Sequence, residues 1–143
     1  MFSQKQAEHH TVGYRPSDKE PFMNERQREY FRKQLLAWKS DVLNEVKGSL
    51  AHLREEDRNH PDLADRASSE AGWALELRAR DRQRKLIAKI DAALKRLEDG
   101  TYGYCLETGE PISLRRLEVR PIATLSIEAQ ERHEQHERLH SDD

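Results

Sequence analysis

The apolar residues Phe31, Leu35, Trp38, Val42, Val46, Leu50 and Leu53 recur at steps of three and four. That spacing fits a helix and excludes a strand, whose side chains alternate every second residue. Most of the positions between them are Lys, Arg, Glu, Asp, Gln or Ser. A narrow apolar stripe on a long charged helix is the coiled-coil pattern, and such a helix needs another helix to cover the stripe. The segment "MNERQREYF" supplies a start: Asn24 can cap the helix and Gln27, three residues on, can reach back as in a capping box. The pattern runs to about Asp57.

"DRNHPDLADRAS" then interrupts it. Pro61 lacks an N–H, and a residue preceding proline avoids the helical region. A second stripe follows at Ala67, Ala71, Leu75, Ala79, Arg82, Leu86, Ile90, Leu94 and Leu97, ending at Gly100, a helix-stopping residue. Two similar amphipathic helices with a short break predict an antiparallel hairpin. About 33 residues per helix, at a rise of ~1.5 Å each, give an arm of roughly 50 Å. One continuous helix in a dimer is the alternative, and Pro61 beside Asn59 and His60 argues against it. The expected fold is mainly α: a long antiparallel coiled-coil hairpin on a small globular base, with a degenerate zinc-ribbon-like element and a C-terminal helix. Residues 1–23 are expected to be a tail or short helix packing on the base, 24–99 the arm with its tip near 58–66, and 100–143 the base.

Composition agrees. Charged residues make up 36% of the 143 and aromatics 6%, which does not support a large compact core. The net charge of −2 comes from interleaved acids and bases, which argues against a general DNA-binding surface. A single cysteine rules out an intramolecular disulfide framework and fits a reducing compartment. "MFSQKQAEHH" has no apolar core of a signal peptide, and no apolar run is long enough to cross a membrane. A soluble, cytoplasmic, monomeric protein is expected.

"YGYCLETGEPISLRRLEVRPIATLSIEA" reads as a zinc ribbon that lacks most of its ligands. A structural zinc needs four ligands in tetrahedral reach, usually two CxxC pairs. The positions at that spacing are Cys105 with Thr108, and Ser126 with Ala129. Hydroxyls are poor zinc ligands and alanine offers none, so no zinc is expected. The element should instead rest on Tyr102, Tyr104, Leu114, Leu117, Ile122 and Leu125, with hydroxyl hydrogen bonds. A lone cysteine is most often a small buried hydrophobe, and a redox role lacks a resolving partner in the chain. Thr124 or Ser126 can cap the last helix. There His133, His136 and His140 share roughly one face, either as a solvated surface among Glu131, Glu134, Glu137 and Arg138 or as a metal site.

Two further features carry charge. "PDLADRA" places Asp62 and Asp65, with Ala67, at the end of the arm. They serve as helix caps, or as carboxylates presented to a partner. Arg78, Arg80, Arg82, Arg84, Lys85 and Lys89 on the second helix, with Arg115, Arg116 and Arg120 in the base, either pair with neighbouring acids or leave a positive patch suited to a polyphosphate or an acidic surface.

"EPFMNERQREYFRKQLLAW", "PDLADRA", "LELRARDRQRKLIAKI", "DGTYGYC" and "LRRLEVRPIA" stand here in an order and spacing that resemble the DksA/TraR family, from Glu20 to about Glu131. The resemblance implies a coiled-coil arm on a small base, with a zinc ribbon in most members. It also implies a factor that binds RNA polymerase, inserts its arm into the secondary channel, alters open-complex stability without reading DNA sequence, and acts with ppGpp in the stringent response. The family's tip residues match Asp62, Asp65 and Ala67. Its ppGpp-binding residues match Leu86, Lys89 and Arg120, while a fourth, basic position is matched by Gln130, a departure that bears on the strength of the ppGpp response. Arg82 matches a polymerase-contacting position of the arm. The zinc ligands match at Cys105 alone, which implies a zinc-independent member that is not an enzyme. The competing readings are a cleavage-stimulating channel factor, whose tip acids hold a catalytic magnesium for polymerase, and a structural coiled-coil adaptor.

Overall fold

The structure is a computed structural model that describes residues 13–59 and 63–141. It is mainly helical: α1 spans Glu25–Asn59, α2 Leu63–Asp99, α3 Leu114–Val119 and α4 Ile127–Ser141. Among the described residues the β-structure amounts to one isolated antiparallel bridge between Tyr104 and Pro111.

Each helix end has a local cause. Asn24 caps α1, its Oδ1 accepting from the Gln27 amide at 2.8 Å. The Gln27 side chain reaches back, but one residue further than a capping box requires: its Oε1 accepts from the Met23 amide at 2.8 Å. At the end of α2, Gly100 has φ +80°, and the amides of Thr101 and Tyr102 both donate to the Arg96 carbonyl, at 2.9 and 3.2 Å. That satisfies a carbonyl the last turn leaves open. Ser113 caps α3 through Oγ, and Ser126, rather than Thr124, caps α4, accepting from Ala129 at 3.2 Å.

The chain forms two compact units, and the division falls inside both long helices. The hairpin unit, Ala37–Asp91, holds the middle and later part of α1 and most of α2. Lys39 Nζ pairs with Asp91 at 2.7 Å, and Gln83 Nε2 donates to Glu45 at 3.4 Å. Rising numbers on α1 meet falling numbers on α2, so the two helices are antiparallel. Val42 and Ile90 are buried, and Trp38, Val46, Leu50, Ala79, Leu86 and Ile87 are half-buried.

The α2 stripe read from the sequence needs correction in its outer half. Leu75 is 64% exposed and Arg82 is exposed, whereas Trp73, Glu76, Arg80 and Gln83 are half-buried. Counting back from Leu97 and Ile90 in steps of three and four gives this second row as readily as the first. Residue hydrophobicity alone favours the wrong one because the inner row carries polar side chains.

The second unit, the knuckle unit, comprises, among the described residues, 13–36 and 92–141. Phe31, Leu35, Ile112 and Leu117 are fully buried there. Tyr102 packs on Phe31 with ring centroids 5.5 Å apart, and Tyr30 on Phe31 at 5.2 Å. The Tyr102 hydroxyl donates to the Pro121 carbonyl at 2.7 Å, and burial holds its pKa above the ordinary phenol value. Tyr102, Leu114 and Leu117 are core as expected, but Tyr104 is 37% exposed and Ile122 and Leu125 are half-buried. Ile112, Pro121 and Ala123 are buried in addition.

Candidate functional site

Residues 102–126 fold as a knuckle. The Cys105 amide donates to the Glu110 carbonyl at 2.8 Å, Gly109 donates back to Cys105 at 2.8 Å, and Ile112 donates to Gly103 at 2.7 Å. The Leu106 amide donates to Thr124 at 2.9 Å, which joins the first half of the knuckle to the second. Arg116 Nε donates to the Leu125 carbonyl at 2.8 Å from α3.

Cys105, Thr108 and Ser126 are brought together as the ribbon spacing predicts. Burial pushes the Cys105 thiol up, but a hydrogen bond from the Thr108 side chain and backbone hydrogen bonds from Ser126, Thr108 and Glu107 more than reverse this, lowering it from 9.0 to about 6. Cys105 is buried, 2% exposed. Thr108 Oγ1 also accepts from the Glu110 amide at 3.2 Å, and Ser126 Oγ is taken by the α4 cap. Ala129 is fully buried and offers no donor atom.

The remaining sequence-predicted residues divide between the units. Leu86 is half-buried, and Arg82 and Lys89 are exposed on α2, in the hairpin unit. Arg120 is exposed in the knuckle unit, where it ends α3 with its amide on the Arg116 carbonyl at 2.7 Å. Gln130 is half-buried and bonds Glu134 at 3.2 Å. Asp65 and Ala67 lie in the first turns of α2, and Asp62 lies outside the described residues. The positive cluster on α2 is partly neutralised. Asp81 pairs with Arg84 at 2.7 Å and with Lys85 at 3.1 Å, and hydrogen bonds from Lys85 first and Arg84 second hold its carboxyl below the usual range. On α4, His133 pairs with Glu107 at 3.5 Å, whereas His136 and His140 stack on each other at 4.0 Å. Among the described residues no group of three or more His, Cys, Asp or Glu is placed to hold a metal ion.

Residues 13–24, within the stretch expected as a tail or short helix packing on the base, form an irregular strap inside the knuckle unit, and the contacts it makes were not legible in the sequence. The Tyr14 hydroxyl donates to Glu20 Oε2 at 2.6 Å, and the Arg26 guanidinium lies 4.0 Å over the Tyr14 ring. Burial and then the bond to Glu20 raise the Tyr14 hydroxyl to about 12, while Glu20 is lowered, chiefly by that same bond. Phe22 packs edge-on against Tyr104 at 5.4 Å. The signal that could have found these contacts is the apolar pair Phe22–Met23 in an otherwise polar stretch just ahead of the Asn24 cap.

Known proteins place the chain. The family profile described as "DnaK suppressor protein DksA, N-terminal domain" matches residues 27–97. "Prokaryotic dksA/traR C4-type zinc finger" matches residues 100–135. A Caulobacter vibrioides protein named RNA polymerase-binding transcription factor DksA is 68% identical over 91% of this chain and 92% of its own. The Escherichia coli K12 protein of the same name is 46% identical over 80% of this chain and 76% of its own. The solved structure of transcription factor DksA2 from Pseudomonas aeruginosa superposes with a TM-score of 0.78 at 48% identity, covering 82% of this chain and 90% of that one. The chain belongs to the DksA family of transcription factors.

The zinc that a C4-type finger implies does not fit the residues present. Of the four ligand positions, one carries a thiol, two carry hydroxyls already engaged in backbone bonds, and one is a buried alanine. No described helix is long and apolar enough to cross a membrane.

Proposed function

We propose that this chain is a regulator that binds RNA polymerase. It acts through the secondary channel, alters the stability of the open complex, and works with ppGpp in the stringent response. The observation that carries the reading is the 68% identity, over 91% of the chain, to a protein named for polymerase binding. The antiparallel helices of the hairpin unit agree with an arm presented to a channel. In this reading residues 24–99 act as the arm and 100–143 as the base. Asp62, Asp65 and Ala67 form the acting tip, Arg82 meets the polymerase, and Leu86, Lys89 and Arg120 hold ppGpp at the polymerase interface. The protein acts as a monomer, in the cytoplasm, without sequence-specific DNA contacts and without catalysis of its own.

The test is in vitro transcription from a ribosomal-RNA promoter, with and without ppGpp. Asp65→Asn and Ala67→Thr are expected to abolish regulation while polymerase still binds, since so small a tip supplies little buried area. Lys89→Ala and Arg120→Ala are expected to reduce the ppGpp effect and leave the ppGpp-free activity in place, each removing a charge-assisted contact typically of about 1.5–3 kcal/mol. Cleaved transcripts from stalled complexes would instead identify a cleavage factor. Tip variants that behave like the parent would leave a structural adaptor.

A further inference from the structure

A four-cysteine ribbon is closed by its metal, which ties the 105/108 half to the 126/129 half. This chain cannot close its knuckle that way, so something else must. The hydrogen bond from Leu106 to Thr124 and those around the Cys105 thiol join the halves from inside. A clamp from outside is supplied by the strap.

Three contacts make it one. The Phe22 ring stands edge-on to Tyr104, the residue beside Cys105. Phe22 and Met23 approach Gly103 so closely that a Cβ there would fall 3.1 Å from Phe22 Cζ and 3.2 Å from Met23 Cε. Arg15 pairs with Glu118 on α3 at 3.5 Å. The strap thus touches the first half of the knuckle and the helix that leads to the second.

Its own anchorage is buried. Gln27 is fully buried; its Nε2 donates to the Ser17 carbonyl at 3.2 Å and to Glu20 at 3.3 Å, and its Oε1 accepts from the Met23 amide. Met23 has φ +51°, a left-handed conformation that a residue with a Cβ rarely adopts. The backbone is held in that turn by Gln27 on one side and by the Gly103 contact on the other.

We infer that residues 13–24 are a latch that closes the single-cysteine knuckle in place of a metal, with Phe22 as its bolt and Gln27 as its anchor. Release of the latch opens the knuckle and uncovers Cys105. The inference concerns this chain's own folding and stands whether or not the polymerase reading holds.

Cys105 is the sole thiol, so its reaction rate with a neutral maleimide, measured on the full chain in native buffer, reports knuckle opening. Phe22→Ala and Gln27→Ala are each expected to raise the rate at least tenfold, with helical circular dichroism unchanged. Phe22→Leu, which keeps an apolar bolt, should recover most of the parent's protection. Tyr14→Phe, which breaks one bond within the strap, should give a smaller rise and covers the case in which the alanine variants fail to fold. Hydrogen exchange distinguishes the outcomes: faster exchange in residues 13–24 together with 103–112 supports the latch. Faster exchange in the strap alone, with the Cys105 rate within twofold of the parent in all four variants, overturns it.

Discussion

The knuckle unit and the hairpin unit hold themselves together in different ways. In the knuckle unit, fully buried Phe31, Leu35, Ile112 and Leu117 are joined by ring contacts and by backbone bonds between distant parts of the chain. In the hairpin unit Val42 and Ile90 are the buried hydrophobic residues among those described, and Leu75 and Leu77 face solvent. Gly48 and Gly72 stand in its helices with nothing within 4 Å of where a Cβ would lie, so neither glycine is there to admit a neighbour. The difference teaches that the hairpin relies on helix formation with a thin seam, whereas the knuckle relies on packing that several segments complete together.

The largest test of that contrast compares core truncations. Phe31→Ala should destabilise the protein by about 3–5 kcal/mol in urea unfolding, since it empties a fully buried site. Val46→Ala, at a half-buried seam position, should cost less than about 1 kcal/mol. Equal costs would break the comparison.

Next in size is the thiol. Its folded-state pKa, lowered to about 6, lies below that of a thiol in an unfolded chain, about 8.5, so ionisation favours the folded state. That contribution is complete above the unfolded value, shrinks as pH falls between the two, and is gone below the folded value. Stability should therefore fall as pH is lowered across this window, and Cys105→Ser should flatten the slope at a cost on the order of 1–2 kcal/mol near neutral pH. Thiolate ultraviolet absorbance against pH checks the midpoint; a midpoint at an ordinary thiol value would show that the hydrogen bonds do not outweigh burial.

A four-cysteine ribbon would lose much of its folding free energy with its metal, and this knuckle should lose none. A chain whose ligand positions are Cys105, Thr108, Ser126 and Ala129 should keep its transcription activity and its unfolding midpoint in EDTA. One tightly held zinc per chain by elemental analysis would overturn that reading of the knuckle.

The smallest expected effect sharpens the description of the hairpin. Gly48→Ala and Gly72→Ala meet open space and replace poor helix formers with the best one. Each should stabilise by roughly 0.5–1 kcal/mol, read as a higher unfolding midpoint. A loss of stability at either position would show that the glycine serves a contact within the hairpin.

The amino-acid sequence by itself determined the two long helices, the cap at Asn24 and the stop at Gly100, because these follow from local spacing and backbone chemistry, while the break expected at Pro61 lies outside the described residues. It also determined that the four ribbon positions carry one thiol, two hydroxyls and an alanine, because ligand identity is written residue by residue. The tertiary structure decided which α2 row faces inward: Glu76, Arg80 and Gln83 lie where hydrophobicity points to Leu75, since a seam position depends on what stands opposite it. It decided that Ile112 and Pro121 are core where Tyr104 is not, and that Tyr104 turns outward to meet Phe22. Above all it decided which contacts residues 13–24 make, where the sequence left open a tail or a short helix packing on the base. Their contacts reach Gly103, Tyr104 and Glu118, some eighty to a hundred residues away, and no local pattern encodes a partner that chain folding brings from that distance.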